Sequence, residues 1–259
     1  KINIIDVNEA PVLGTITTVP LSENQSDVQL ALITATDPDN VGDAPTDAAY
    51  DNVTLSVGGA DAASFSINAS DYLTFTGPAN YETAKKSYEI NVVATDGAGN
   101  TDIEPLTINV VDVNDDPVIT SETGTVTASV NEGNTEIYTA AASDEDAGQV
   151  VTLSLSGTDA GKMTLDTSTG VVTLDNAADF ETQPSYSFNL IANDGITTVT
   201  EGIVVNIADI NEAPEITTIT ASDYDENQDY TSNPIFDADA NDQDSDDITF
   251  SLGDSKDEN

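Results

Sequence analysis

The chain contains no cysteine, tryptophan, histidine or arginine. Without cysteine it has neither disulfides nor thiolate zinc sites. Without histidine and arginine, the usual nucleophile–base pairs and guanidinium clamps on phosphate are gone as well. Only 5 of its 259 residues are basic, all lysine, against 48 acidic ones, for a formal charge of −43. A chain so poor in cations lacks the footprint that nucleic acid and anionic membrane surfaces require. No stretch approaches the ~20 apolar residues that cross a bilayer. Residues Lys1 to Asp6 read as a strand and not as a signal peptide, so any export signal or anchor is expected outside this segment. Paired carboxylates alone would serve a glycosidase, but among 48 acids such a pair has no specificity. The chain reads as a non-enzyme.

What the sequence does contain is periodic. The phrase Asp6-Val7-Asn8-Glu9-Ala10-Pro11 returns as Asp112-Val113-Asn114-Asp115-Asp116-Pro117 and as Asp209-Ile210-Asn211-Glu212-Ala213-Pro214. Copies stand about 100 residues apart, the size of one small sandwich. Other signatures keep step with it. A Glu opens each unit (Glu23, Glu132, Glu226), followed by an Asp-x-Asp pair (Asp37 and Asp39, Asp144 and Asp146, Asp242 and Asp244). The two longer units add an aromatic between polar groups, Asn80-Tyr81-Glu82 and Asp179-Phe180-Glu181, and an Asp closing an apolar strand, Asp96 and Asp194. The first unit carries an insertion in its 40s. The acidic run Asp242 to Asp247 is no EF-hand, because Asp247 stands where that loop needs Gly and Gly253 where it needs Glu.

Alternation of period two dominates the rest. Tyr88, Ile90, Val92 and Ala94 share one face, as do Tyr186, Phe188, Leu190 and Ala192, and no helical stripe competes. About seven short strands separated by Gly, Asn and Asp turns in ~100 residues predict a Greek-key β-sandwich. The expected organisation is 1–11 as the last strand and linker of a preceding repeat, 12–117 and 118–214 as complete repeats with their linkers, and 215–259 as the first half of a third. Tyr81 and Phe180 are expected at strand positions, packing on the core.

The five signatures, in this order, resemble those of cadherin repeats, above all the bacterial cadherin-like modules of large surface adhesins. The resemblance implies an all-β chain of tandem seven-stranded, immunoglobulin-like sandwiches joined by calcium-binding linkers, with about three Ca²⁺ at each complete junction. Calcium takes 6 to 8 oxygen ligands, more than one strand supplies. Carried over by motif, the central junction draws on Glu23, Asn80 and Glu82, on Asp112, Asn114 and Asp115 with the carbonyls of Val113 and Asp116, and on Asp144, Asp146 and Asp194. The next draws on Glu132, Asp179, Glu181, Asp209, Asn211, Glu212, Asp242 and Asp244, with Ile210 and Ala213 in the carbonyl places. Asp6, Asn8, Glu9, Ala10, Asp37, Asp39 and Asp96 remain for the first. Asn80 stands where the family has Asp, and Glu9 and Glu212 stand where its linker has Asp.

By this resemblance the chain is an extracellular, cell-surface segment whose partners are calcium ions and neighbouring repeats, acting as a Ca²⁺-stiffened stalk. Two other readings stay open. One is a module that recognises a glycan or another copy of itself. The other is a self-assembling fibre subunit completed by strand exchange.

Overall fold

The computed structural model describes residues 7–38, 52–83, 85–125, 129–221 and 236–251. Asp6, Asp39, Glu226 and the 40s insertion lie outside the described residues. The chain divides into two compact units, Lys1–Asp115 with Glu145–Ala147, and Asp116–Asp144 with Gly148–Asn259.

In the first unit the strands are β1 (Val12–Leu13), β2 (Leu21–Ser22), β3 (Val28–Leu32), β4 (Ala35–Thr36), β5 (Thr54–Gly58), β6 (Phe65–Ile67), β7 (Tyr72–Phe75), β8 (Ser87–Thr95) and β9 (Thr101–Val111). One sheet runs β2-β9-β8-β5 and the other β3-β7-β6, while β1 pairs with β4. Alternation decides which faces meet. On β8, Tyr88, Ile90, Val92 and Ala94 are all buried and the residues between them are not. Tyr88, Ile90 and Val92 meet Leu30, Phe65, Leu73 and Phe75 of the opposite sheet in one core. Phe65, Phe75 and Tyr88 pack edge to face, with centroids 5.0–5.6 Å apart, as ring quadrupoles favour.

The second unit repeats this plan with β10 (Val118–Ile119), β11 (Gly124–Thr125), β12 (Val130–Asn131), β13 (Glu136–Thr139), β14 (Ala142–Ser143), β15 (Thr152–Ser156), β16 (Met163–Leu165), β17 (Val171–Leu174), β18 (Ser185–Asn193) and β19 (Thr198–Ala208). Its sheets are β11-β19-β18-β15, with β12 also on β19, and β13-β17-β16. Met163 and Leu174 pair where Phe65 and Phe75 pair in the first unit, and among the described residues Tyr138 and Phe188, at other positions, supply the second unit's edge-to-face pair, 5.7 Å apart. The hairpin before β17 has no room for a side chain at Gly170. Its φ is +78°, and a Cβ there would lie 2.1 Å from the Ala140 carbonyl oxygen. Beyond these sandwiches, β20 (Glu215–Ala221) and β21 (Phe236–Asn241) form an antiparallel pair.

Three local features differ from the sequence expectation or were not apparent in it. The opening segment of each unit is not one strand, because it changes partners. β1 pairs antiparallel with β4, and β2 then pairs parallel with β9. Tyr81 and Phe180 sit in turns and not in strands, yet each packs against its core. Single 3₁₀ turns, Ala62–Ser64 and Ala160–Lys162, follow a recurring Gly-x-Asp-Ala. Its Gly59 and Gly157 adopt φ of +97° and +98°, which turns the chain back on β8 and β18.

The Asp of this motif braces the sheet. Asp159 accepts the Ser187 N–H at 2.8 Å and the Lys162 ammonium at 2.9 Å. Asp61 accepts the Glu89 N–H at 2.8 Å and pairs with Lys85. Burial alone pushes the Asp159 carboxyl up, but these donors outweigh it and hold the group below its ordinary range. A depressed folded-state value means that the stabilisation is complete above the unfolded value of about 3.9 and disappears as pH falls through the folded one. Asp159→Asn is therefore expected to cost about 1–3 kcal/mol at neutral pH and to flatten the acid limb below about pH 4. Urea midpoints from pH 2.5 to 7 check this, and parallel pH profiles for both proteins would contradict it.

Candidate metal centres

Topology brings the acids of each unit to one end. Because β2 runs parallel to β9, both strands finish together, Leu21 beside Val110 and Ser22 beside Val111. The next residues, Glu23 and Asp112, are thereby neighbours. β8 runs antiparallel to β9 and begins beside Asn109, so the turn around Glu82 that precedes it lies at that end too. The second unit does the same with β12, β19 and β18, gathering Glu132, Asp209 and the turn around Glu181.

The outcome is a pair of carboxylate triads in each unit. Glu23, Glu82 and Asp112 have ligand oxygens mutually within 4.8 Å, and so do Glu82, Asp115 and Asp146. In the second unit the triads are Glu132, Glu181 and Asp209, and Glu181, Glu212 and Asp244, within the same 4.8 Å. These are the same motif positions. A single Glu, 82 or 181, is shared by both triads of its unit.

Backbone donors hold the innermost acid. Glu23, only 1% exposed, accepts the Val113 N–H at 2.7 Å on Oε1 and the Tyr81 N–H on Oε2. Glu132, 8% exposed, accepts the Ile210 and Phe180 N–H groups in the same way. The Asp115 N–H donates to Asp146 at 2.9 Å, and the Glu212 N–H to Asp244 at 2.7 Å. In the linkers, Asn114 and Asn211 each donate the side-chain amide to the following residue's carbonyl at 2.7 Å, and Asn8 does so to Glu9 at 2.9 Å. The residue after each buried Glu, Asn24 or Gly133, has φ of +59° or +79°, which turns the chain away from the cluster.

The clusters repel themselves. Burial raises Glu23, but the Tyr81 and Val113 N–H groups, Glu82 and Lys86 bring it below its ordinary value. The cost falls on its neighbours. Burial, then Glu23 and Asp115, push Glu82 up, and burial, then the charges of Glu23, Asp146 and Glu145, push Asp115 up despite the Asn24 amide. In the second unit burial and nearby acids raise Asp209 and Glu212. Glu181 is drawn down by its own N–H, yet burial, Glu132, Asp209 and Asp244 leave it raised. Oxygens of Glu82, Asp115, Glu212 and Asp244 are buried with no hydrogen-bond partner. A buried, unpaired carboxylate oxygen is costly unless a cation completes it.

Other acids named by the sequence lie elsewhere or face other partners. Asp96 and Asp194 sit at the far ends of β8 and β18, about 30 Å along a nine-residue strand. Each closes its hairpin. Asp96 Oδ1 accepts the Ala98 and Asn100 N–H groups, and Asp194 Oδ1 those of Ile196 and Thr197. Asn8 donates to Asp96 at 2.7 Å, joining that linker to the far end of the first unit. Asp37 is 7% exposed and Asp242 9%, and Asp242 accepts the Asp244 N–H at 3.0 Å. Asn80 presents its oxygen to the Thr83 N–H and its NH₂ to Glu145. Asp179 likewise accepts the Thr182 N–H, but its second oxygen is an acceptor and not a donor. Asp144 and Asp116 are outside the triads, and Val113, Ile210, Ala213 and Ala10 have no side-chain carboxylate to contribute. Asn24 was not apparent from sequence. It donates to Asp115 at 2.7 Å, and its signal was the Asn-or-Gly position after the buried Glu.

Sheets, burial and acidic clusters together define immunoglobulin-like sandwiches of the cadherin type. Their fold is that of cadherin-like domains. Residues 8–109 match the family model described as Bacterial Ig domain. Over 136 residues the chain is 35% identical to human Protocadherin Fat 4, a match spanning 49% of this chain and 3% of that protein. It also resembles the solved Protocadherin Gamma B2 extracellular cadherin domains 3-6, at TM-score 0.50 and 23% identity over 83% of this chain and 56% of that one. For human Protocadherin-24 EC1-2 the values are TM-score 0.50 and 18% identity over 78% of this chain and 100% of that one. Among the described residues no helix is long and apolar enough to cross a membrane.

Proposed function

We propose that this chain is a calcium-binding, extracellular spacer in an adhesion protein, built from repeats at 12–117 and 118–214 with partial repeats on either side. The buried carboxylate oxygens of Glu82, Asp115, Glu212 and Asp244, orphaned inside recurring triads, carry the reading. The donor set fits the ion. All the triad ligands are hard carboxylate oxygens, neither sulfur nor imidazole is present, and Ca²⁺ prefers such oxygens in flexible geometry. Glu23, Glu82, Asp112, Asp115 and Asp146 would hold it in the first unit, and Glu132, Glu181, Asp209, Glu212 and Asp244 in the second. Bound there, the cation supplies the positive charge that these acids lack.

The chain's own residues do the mechanical work. Glu23 and Glu82 belong to the body of the repeat, Asp112 and Asp115 to the linker, and Asp146 to the segment beyond it. With their mutual repulsion relieved, linker and body are held together, and the chain stiffens where one repeat passes to the next. In chelator the same carboxylates repel and the linker loosens, each pair at about 4 Å costing about 1 kcal/mol even at the dielectric of water. Limited proteolysis tests the reading. Cleavage between Asp112 and Pro117 should accelerate at least several-fold in EDTA, and equal rates with and without calcium would overturn it.

A further inference from the structure

The two clusters match acid for acid, but their N–H donors differ. In the first unit the Lys86 ammonium lies 3.4 Å from the centroid of the Tyr81 ring and donates to the Tyr81 carbonyl. That places a positive charge one residue from Glu82 and beside the peptide whose N–H binds Glu23. In the second unit the same place is Pro184. The register is fixed, because the Val110 N–H donates to the Lys86 carbonyl as the Ile207 N–H donates to that of Pro184. Asn24 adds a second donor, occupying one oxygen of Asp115, where the second unit has Gly133. A further exchange cancels in formal charge, since Asn80 with Glu145 replaces Asp179 with Gln243.

Resting on the calcium reading above, we propose that the two clusters load divalent cation in sequence, the second unit first, because Lys86 places a cation beside the first unit's carboxylates and Asn24 a donor on one of them, which Pro184 and Gly133 cannot supply. An ammonium repels an incoming dication. An amide donor must be displaced before both Asp115 oxygens are available. Lys86 is exposed, so water and salt weaken its effect, and the expected separation is about three- to tenfold in calcium concentration. Between the two midpoints the chain has one stiffened linker and one loose one. Its stiffness is then a graded function of external calcium and not a single switch.

The phenol ring of Tyr81 makes the first cluster separately visible. Phe180 holds the matching place in the second unit, so terbium emission that is excited through tyrosine and lost in Tyr81→Phe reports the first cluster in the whole chain. Calcium displacement of that emission should have a midpoint about three- to tenfold above that of the remaining calcium uptake, measured by chelator competition. Lys86→Gln with Asn24→Gly should bring the two midpoints together, and Asn24 already has a φ that Gly adopts freely. Pro184→Lys should move the tighter midpoint toward the weaker. Coincident midpoints in the unaltered chain, or a Lys86→Gln, Asn24→Gly chain with the original separation, overturn the proposal and leave calcium binding intact. Absence of both Tyr81-dependent emission and chelator-sensitive uptake overturns the calcium reading itself.

Discussion

Saturating calcium is expected to raise the unfolding midpoint of each unit by about 10–20 °C over the value in chelator. The estimate follows from mass action. One site filled at a hundredfold excess over its Kd adds about 2.7 kcal/mol, and 1 kcal/mol moves the midpoint of a domain of about 100 residues by about 4–8 °C. Extracellular calcium modules bind with Kd of about 10⁻⁴ to 10⁻³ M, so the rise begins at millimolar calcium and reaches this extent, at a hundredfold excess, at about 10–100 mM. Self-repulsion makes the effect large. Glu82, Asp115, Glu181, Asp209 and Glu212 are all raised by burial and by neighbouring acids, so the ion-free protein carries a repulsion that a cation would relieve. Magnesium at the same concentration should give much less, because it demands near-ideal octahedral geometry and releases its water reluctantly. Differential scanning calorimetry in calcium, magnesium and EDTA decides the matter. Midpoints that agree within about a degree in calcium and in EDTA would remove the basis of the proposed function.

The acids that the triads gather, and their order, were legible in the sequence because their chain positions recur with the repeat. Glu23, Glu82, Asp112, Asp115 and Asp146, with their five counterparts in the second unit, could be named from motif alone. What motif could not show was which acids share an end of a sheet. Motif assigned Asp96 to the first junction and Asp194 to the central one, and only the length of β8 and β18 shows that each stands at the end of its unit opposite that unit's triads, where it closes a hairpin. Nor did alternation reveal that the opening segment switches sheets, since β1 and β2 are two residues each and too short to show a period. Asp61 and Asp159 passed unnoticed among 48 acids, although the glycine two places earlier was a usable signal. Their contribution depends on N–H groups of Glu89 and Ser187, 28 residues further along the chain.

Glu23 was legible only in part, and the rest of its role makes Glu23→Ala the most damaging single change expected in the first unit. As a ligand alone, its removal would matter only with calcium present. The structure gives it a second task, because its two oxygens satisfy the backbone N–H groups of Tyr81 and Val113 inside a site with 1% exposure. Alanine leaves both donors buried and unpaired, at about 1–3 kcal/mol each, so about 2–6 kcal/mol should be lost even in EDTA. Glutamine separates the two roles. It keeps the shape and one acceptor oxygen but turns an amide toward the other N–H, so its loss in EDTA should be smaller while calcium still fails to stabilise the first unit. Urea denaturation followed through Tyr81 and Tyr88 in the first unit, with and without calcium, reads both quantities. If Glu23→Ala matches the unaltered chain in EDTA, Glu23 is a ligand and not a brace. If Glu23→Gln keeps the full calcium response, it is a brace and not a ligand.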